Sequence, residues 1–133
     1  MTVPRVAIIG AGPSGLAAAW QLRDAPVEVT VFEKSRGVAG RAASRTRQEA
    51  RFDYGANYIK LDSPELEKIV HKDLPVEDLV QIRGNVGTFY NTGHIEPGDP
   101  AQKRHAKWNN ASVIITLGKH IASDSAADRR LET

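Results

Sequence analysis

The chain contains no cysteine, which excludes disulfides, thiolate catalysis and cysteine-based zinc sites. An intracellular, cytoplasmic location is compatible with that composition and is the expectation. Aromatic residues are few, 6% of 133. Long apolar runs are also missing. The uncharged stretch from Val6 to Leu22 is broken by Gly10, Gly12, Pro13 and Gly15. That makes it a poor membrane span, which needs about 20 apolar residues, and a poor signal peptide despite Ala17, Ala18 and Ala19. No excess of one charge sign exists, because 18 Lys and Arg against 16 Asp and Glu leave +2. That balance gives no argument for a nucleic-acid partner. What remains, 41% hydrophobic and 26% charged residues, is a globular composition. The length suits a single domain able to bury a core of its own.

Charge is unevenly distributed. Arg36, Arg41, Arg45, Arg47 and Arg51 fall in one stretch with Glu49 as its acid. No aromatic residue interrupts that stretch to stack on bases, which also argues against nucleic acid. Residues 61–80 carry Asp62, Glu65, Glu67, Asp73, Glu77 and Asp78 against Lys68 and Lys72, and read as the solvated face of a helix and its loop. His71, His94, His105 and His120 show no metal-ligand spacing, so no metal site is expected.

The first sixty residues read as one βαβ unit with a following loop. Val3–Ile9 is β-branched and apolar enough for a strand buried on both faces of a parallel sheet. Pro13–Arg23, rich in Ala and Leu, predicts a helix with Trp20 in the core. Val27, Val29 and Val31 alternate with Glu28 and Thr30 as a second strand. Residues 34–51 show no apolar period and are expected to form a long loop or short irregular helix. Phe52–Lys60 is partly extended, with Gly55 as a point of close approach. Further on, Ser63 and Pro64 open a helix running to about Lys72. Leu79–Arg83 and Val86–Tyr90 flank Gly84-Asn85 as a β-hairpin. Residues 93–110 read as loop with a short strand at 94–96. Over 112–123, Val113, Ile114, Ile115 and Thr116 favour a strand locally, whereas Ile114, Leu117, His120 and Ile121 fit a helical face; a helix capped by Ser112 is the expectation. The fold class is therefore α/β: a Rossmann-like unit with parallel strands, then a helix, a hairpin and a further helix.

Gly10-Ala11-Gly12-Pro13-Ser14-Gly15 matches G-x-G-x-x-G between the first strand and the helix. In that setting Gly10 permits a tight turn, Gly12 admits a pyrophosphate, and Gly15 lets helix and strand pack closely. The helix N-terminus adds free amides and a positive dipole end. Glu33 lies 23 residues after Gly10, at the end of the second strand. An acid there accepts the hydroxyls of an adenosine ribose and disfavours a 2′-phosphate.

The segment Glu33-Lys34-Ser35-Arg36-Gly37-Val38-Ala39-Gly40-Arg41 resembles the stretch that follows the ribose-binding acid in FAD-dependent amine oxidases. In those enzymes an arginine ends a Gly-Gly-Arg eight residues after the acid. Here the doublet is Ala39-Gly40, and if the backbone takes a positive φ at 39 the alanine is strained; otherwise the change is neutral. Phe52-Asp53-Tyr54-Gly55-Ala56-Asn57-Tyr58 resembles the ring-side segment of the renalase-like branch of that family.

The resemblance implies an FAD-binding oxidoreductase, with FAD expected ahead of NAD. It implies that Ser14 and Gly15 offer amides to the pyrophosphate, that Lys34 lies near the adenosine beside Glu33, and that Gly40 and Arg41 reach the pyrophosphate or flavin side. Ala56, Asn57 and Tyr58 would line the ring. For Arg41 the alternative is a solvated arginine, and for Tyr58 simple packing. Residues 1–60 are then the FAD-binding unit, and 61–133 the incomplete start of an interposed substrate region with a return helix. No catalytic residue and no particular small-molecule substrate follow from these residues. A non-catalytic dinucleotide-binding module completed by a second chain, and an NAD-dependent dehydrogenase domain, are the alternatives.

Overall fold

The computed structural model describes residues 2–73, 78–84, 87–98 and 106–132. Strand β1 (Arg5–Ile9) leads through helix α1 (Pro13–Gln21) to strand β2 (Glu28–Glu33). β1 and β2 pair in parallel with Ile8 opposite Val31. The third strand of this sheet comes from the far end of the chain. β10 (Asp128–Leu131) lies parallel on the other side of β2, with Leu131 opposite Glu33, giving the order β1-β2-β10.

Between β2 and β10 lie several smaller pieces. β3 (Ser44–Arg47) and β4 (Ala50–Asp53) form an antiparallel hairpin. β5 (Ile59–Lys60), β6 (Leu79–Ile82) and β9 (Lys107–Asn110) form an antiparallel sheet with β9 at its centre. β7 (Gly87–Phe89) and β8 (Ile95–Pro97) form a second hairpin. Helix α2 (Pro64–Lys68) runs on into a π-helical turn at Ile69–Asp73, and helix α3 (Ile115–Asp124) precedes β10.

Alternation on β2 decides where the core lies. Val29 and Val31 point to the face covered by α1 and α3, where Leu16, Ala19, Val31 and Ala122 are buried. Alanines at this contact let the two helices come close. Their far ends are tied by the Trp20 indole N–H, which donates to the Asp124 carboxylate at 2.6 Å. The Arg23 guanidinium lies 3.9 Å from the centre of the Trp20 ring.

Several expectations need correction. β1 is not buried on both faces. Among the described residues the helices cover one face, β1 is an edge strand, and Ile9 is 83% exposed. Residues 34–51 are not all loop. A 3₁₀ turn at Gly40–Ala42 is followed by the β3–β4 hairpin, whose turn places Gln48 at φ 54°. The charged alternation Ser-Arg-Thr-Arg gives no apolar signal, because only one residue of that strand is half-buried. Strands exist near 79–83 and 86–90, but they do not pair with each other. β6 pairs with β9 and β7 with β8, so the hairpin turns at 91–93 instead. The expected turn at Gly84-Asn85 falls on residue 85, outside the described residues. Residues 107–110, expected as loop, form β9.

The start of α3 is also capped differently. Ser112 donates to the Asn110 side chain at 2.8 Å rather than capping the helix. The caps come from the β3–β4 hairpin, far away in sequence. The Asp53 carboxylate accepts from the Ile114 amide at 3.1 Å, and the Ser44 hydroxyl accepts from the Ile115 amide at 3.3 Å. Ser44 donates in turn to Asp53 at 2.5 Å. Ser63 is the cap that was expected, accepting from the Leu66 amide at 3.1 Å.

One contact couples α3 to the loop after β2. Ala39 is fully buried with φ 79°, so an L side chain occupies the left-handed region at a cost of about 1 kcal/mol. Its methyl fits because position 118 of α3 is glycine: a Cβ there would stand 2.7 Å from the Ala39 Cβ. In a free helix Gly→Ala gains about 1 kcal/mol. Here we expect Gly118→Ala to destabilise by about 1–3 kcal/mol through overpacking, and Ala39→Gly in the same molecule to restore most of the loss. Urea unfolding of the two single variants and the double variant measures this coupling.

Candidate dinucleotide-binding site

The glycine turn between β1 and α1 is built from three different physical requirements. Gly10 has φ 100°, a conformation that favours glycine, and its amide donates to the Phe32 carbonyl at 2.7 Å. Gly15 is required by packing, because a Cβ there would lie 2.0 Å from the Gly10 carbonyl oxygen. Gly12 is different. Its φ of −74° suits any residue, and a Cβ there meets nothing within 4 Å. The fold does not demand glycine at 12, while the hollow in front of it does gain from the missing side chain.

Gly12 is the N-cap of α1 and Pro13 its first residue. The first amide of the helix to bond backwards is that of Leu16, to the Gly12 carbonyl at 2.9 Å. The Ser14 and Gly15 amides precede that bond, so helix geometry leaves them without an intrahelical acceptor. They add to the dipole end that favours an anion.

The turn at Gly40–Ala42 closes over this end. Gly40 has φ 50°, and a Cβ there would stand 3.3 Å from the Gly12 Cα. The Ala39 amide donates to the Ala11 carbonyl at 2.8 Å, which locks the second loop to the first. Gly55 allows the next segment to dock. A Cβ on it would lie 2.1 Å from the Arg41 carbonyl oxygen, which accepts from the Ala56 amide at 2.9 Å.

These approaches leave a cleft of about 490 Å³, lined by Gly12, Ser14, Gly15, Gly40, Arg41 and Ala56 among others. A second hollow of about 500 Å³ lies over Phe32, Glu33 and Lys34. Both are also lined by Ile9 and Gly10, so they meet at the glycine turn. Each hollow is of the size ligand sites commonly have. One end offers a carboxylate, the middle offers amides and a helix dipole, and Arg41 adds a positive charge. That order of groups suits a ribose followed by a pyrophosphate.

Glu33 is 8% exposed. Its Oε2 accepts from the Ala11 amide at 2.7 Å, and its Oε1 accepts from the Ser35 hydroxyl at 2.6 Å and the Ser35 amide at 2.9 Å. The Ser35 hydroxyl, then the Ala11 and Ser35 amides, hold its carboxyl below the ordinary carboxylate range, with Lys34 adding a smaller electrostatic effect. Burial works in the opposite direction and is outweighed. The side chain is therefore an anion at neutral pH although it is almost enclosed.

Gly10, Gly12, Ser14, Gly15, Gly40, Arg41 and Ala56 are thus brought together, with Glu33 and Lys34 in the adjoining hollow. Asn57 and Tyr58 stand outside both linings. The Asn57 carbonyl accepts from the Asn109 side chain at 2.9 Å, and the Lys107 ammonium lies 4.9 Å from the centre of the Tyr58 ring. Residues not anticipated from the sequence also contribute: Ile9, Phe32 and Ala42 line the hollows, and Ser35 holds Glu33. The signal for Ser35 was its position two residues after the acid, a spacing at which a hydroxyl reaches back locally.

Comparison with known proteins agrees with this geometry. Residues 8–72 match the NAD(P)-binding Rossmann-like domain family. Protoporphyrinogen oxidase 2 (chloroplastic/mitochondrial) of Arabidopsis thaliana is 41% identical over 66 residues, 50% of this chain and 13% of that protein. The 4,4'-diapophytoene desaturase of Staphylococcus aureus is 32% identical over 79 residues, 59% of this chain and 16% of that protein. A solved structure of putrescine oxidase, a variant redesigned in cofactor binding, superimposes with a TM-score of 0.51 at 28% identity, over 72% of this chain and 21% of that one. The chain thus spans less than a quarter of the length of each of these proteins. No helix among the described residues is long and apolar enough to cross a membrane.

The distinct reasons for glycine can be separated by experiment. Gly15→Ala should lower the midpoint of thermal unfolding through its clash with the Gly10 carbonyl. Gly12→Ala should change stability by no more than about 1 kcal/mol, the scale of an N-cap exchange. Calorimetry of both variants checks the contrast.

Proposed function

We propose that this chain is the cofactor-holding part of an FAD-dependent oxidoreductase of the amine-oxidase type, a reading supported by the Rossmann-like match over residues 8–72 and the likeness to putrescine oxidase. The observation that carries this reading is the join of the two hollows at the glycine turn. A buried anion stands on one side of it, and free helix amides with Arg41 on the other.

In this reading Glu33 accepts a ribose hydroxyl and Lys34 lies beside the adenosine. Ser14 and Gly15 donate amides to the pyrophosphate, whose approach Gly10 and Gly12 leave open. Gly40 and Arg41 contact the pyrophosphate or the flavin side, and Ala56, Asn57 and Tyr58 lie toward the ring. FAD, when bound, supplies the redox chemistry. The chain's own part is to bind the cofactor, orient it and neutralise its phosphates. Residues 61–133 are the start of a region that carries the substrate, with α3 and β10 returning to the cofactor unit. The small-molecule substrate and the catalytic groups belong to a continuation of the fold or to a second chain. The same reading includes a cytoplasmic location.

FAD is favoured over NAD because residues 39–56 are built against the glycine turn, an arrangement that a βαβ unit alone does not need. Titration of purified protein with FAD, followed by flavin fluorescence, tests the proposal. Quenching is expected, and unchanged fluorescence across the titration would overturn it. Gly12→Val should abolish quenching while the protein stays folded by circular dichroism, since the added side chain enters the cleft and not the core. Glu33→Ala should weaken binding by about 1.5–3 kcal/mol, the scale of a charge-assisted hydrogen bond, and isothermal calorimetry gives the value.

A further inference from the structure

We propose that Ser35 is a positioning residue for the cofactor's ribose: its hydroxyl fixes the Glu33 carboxylate so that one acceptor position remains directed to the hollow. The inference rests on the flavoprotein reading and deepens it. A carboxylate offers about four acceptor positions. Three are used among the described residues, by the Ala11 amide at 2.7 Å, the Ser35 amide at 2.9 Å and the Ser35 hydroxyl at 2.6 Å. Two of these three come from Ser35, so this residue sets the plane of the carboxylate.

Ser35 is itself anchored. Its hydroxyl lies 3.2 Å from the Gly37 carbonyl, and its own carbonyl accepts from the Glu132 amide at 3.4 Å, just beyond β10. Glu33 thereby receives a single ribose hydroxyl, and the neighbouring hydroxyl must be met by another group lining the hollow, where Lys34 stands. The hydroxyl of Ser35 also favours the charged form of Glu33, so the acceptor stays ionised into the acid range. Among the described residues, the charged groups bearing on this site are Lys34, next in the chain, and the Arg36–Glu132 pair at 3.1 Å across Ser35. Arg130 of β10 lies over the Phe32 ring at 5.9 Å. The glycine turn, which packs on the other side, contributes no charge.

The test compares wild type, Ser35→Ala and Ser35→Thr in FAD titrations across pH, with a carbon-13 NMR titration of the Glu33 carboxyl in the FAD-free chain. Ser35→Ala is expected to bind FAD about tenfold more weakly, the scale of one lost bond to a charged group. With that bond gone, the Glu33 midpoint moves up toward its ordinary value. Loss of binding on acidification should therefore begin at higher pH than in wild type. Ser35→Thr, which keeps the hydroxyl, should restore both properties. If Ser35→Ala binds FAD like wild type with the same acid limb, the proposal is overturned. It is equally overturned if Ser35→Thr is as weak as Ser35→Ala and neither moves the Glu33 midpoint, because the loss is then a general effect on the loop. If wild type fails to bind FAD, the flavoprotein reading falls and the ribose role with it. A shifted Glu33 midpoint in Ser35→Ala would then still support the hydrogen-bonded control of the carboxylate.

Discussion

A Cβ on Gly15 would lie 2.0 Å from the Gly10 carbonyl oxygen, and this close approach of α1 to the end of β1 sets the rest of the site. It brings the helix amides to the mouth of the cleft. It also turns the Ala11 amide toward β2, where Glu33 accepts it. The turn is thereby fixed from both sides, by packing at Gly15 and by a charge-assisted hydrogen bond at Glu33. A bond of that kind to a buried anion is worth more than one between neutral groups.

The later part of the chain supports this arrangement through contacts that span long sequence separations. β10 covers the open side of β2 and holds the end of the strand that carries Glu33. α3 packs on α1, and its Gly118 receives the methyl of Ala39. Ala39 in turn bonds the Ala11 carbonyl. The β3–β4 hairpin supplies Asp53 and Ser44 to the start of α3. The loops around the cleft and the helix behind it are therefore parts of one connected structure. A strained alanine at 39 persists because its neighbours leave it no alternative.

The electrostatics follow the same logic. An almost enclosed carboxylate would ordinarily resist ionisation, yet three donors around Glu33 outweigh its desolvation. Ala11 and Ser35 thus decide what Glu33 can do, although neither is charged. The arginines after β2 differ among themselves. Arg41 lines the cleft, while Arg36 pairs with Glu132 and Arg45 lies over the Tyr54 ring at 4.4 Å. Position relative to the glycine turn separates them.

The sequence alone determined the βαβ unit, the order of the glycines, Glu33 at the strand end and the Ser63 cap. Each of these rests on local chemistry: a period of two in β2, a proline opening a helix, and spacings that bring groups to one turn. The close approach at Gly55 was legible for the same reason. Tertiary structure decided what depends on pairing between distant segments. The polar strands β3, β4 and β9 carry little hydrophobic signal: β3 and β4 are largely exposed, and β9, although half-buried, is polar apart from Trp108 and is held between β5 and β6. The strand near 79–83 chose β9 over its neighbour in sequence, a choice that hydrophobic pattern does not encode. The cap of α3 came from Asp53, 61 residues away, instead of the adjacent Ser112. Whether Ala39 sits at positive φ depended on the docking of its loop between Ala11 and Gly118. These are long-range contacts, and a single residue's neighbours in the chain carry no record of them.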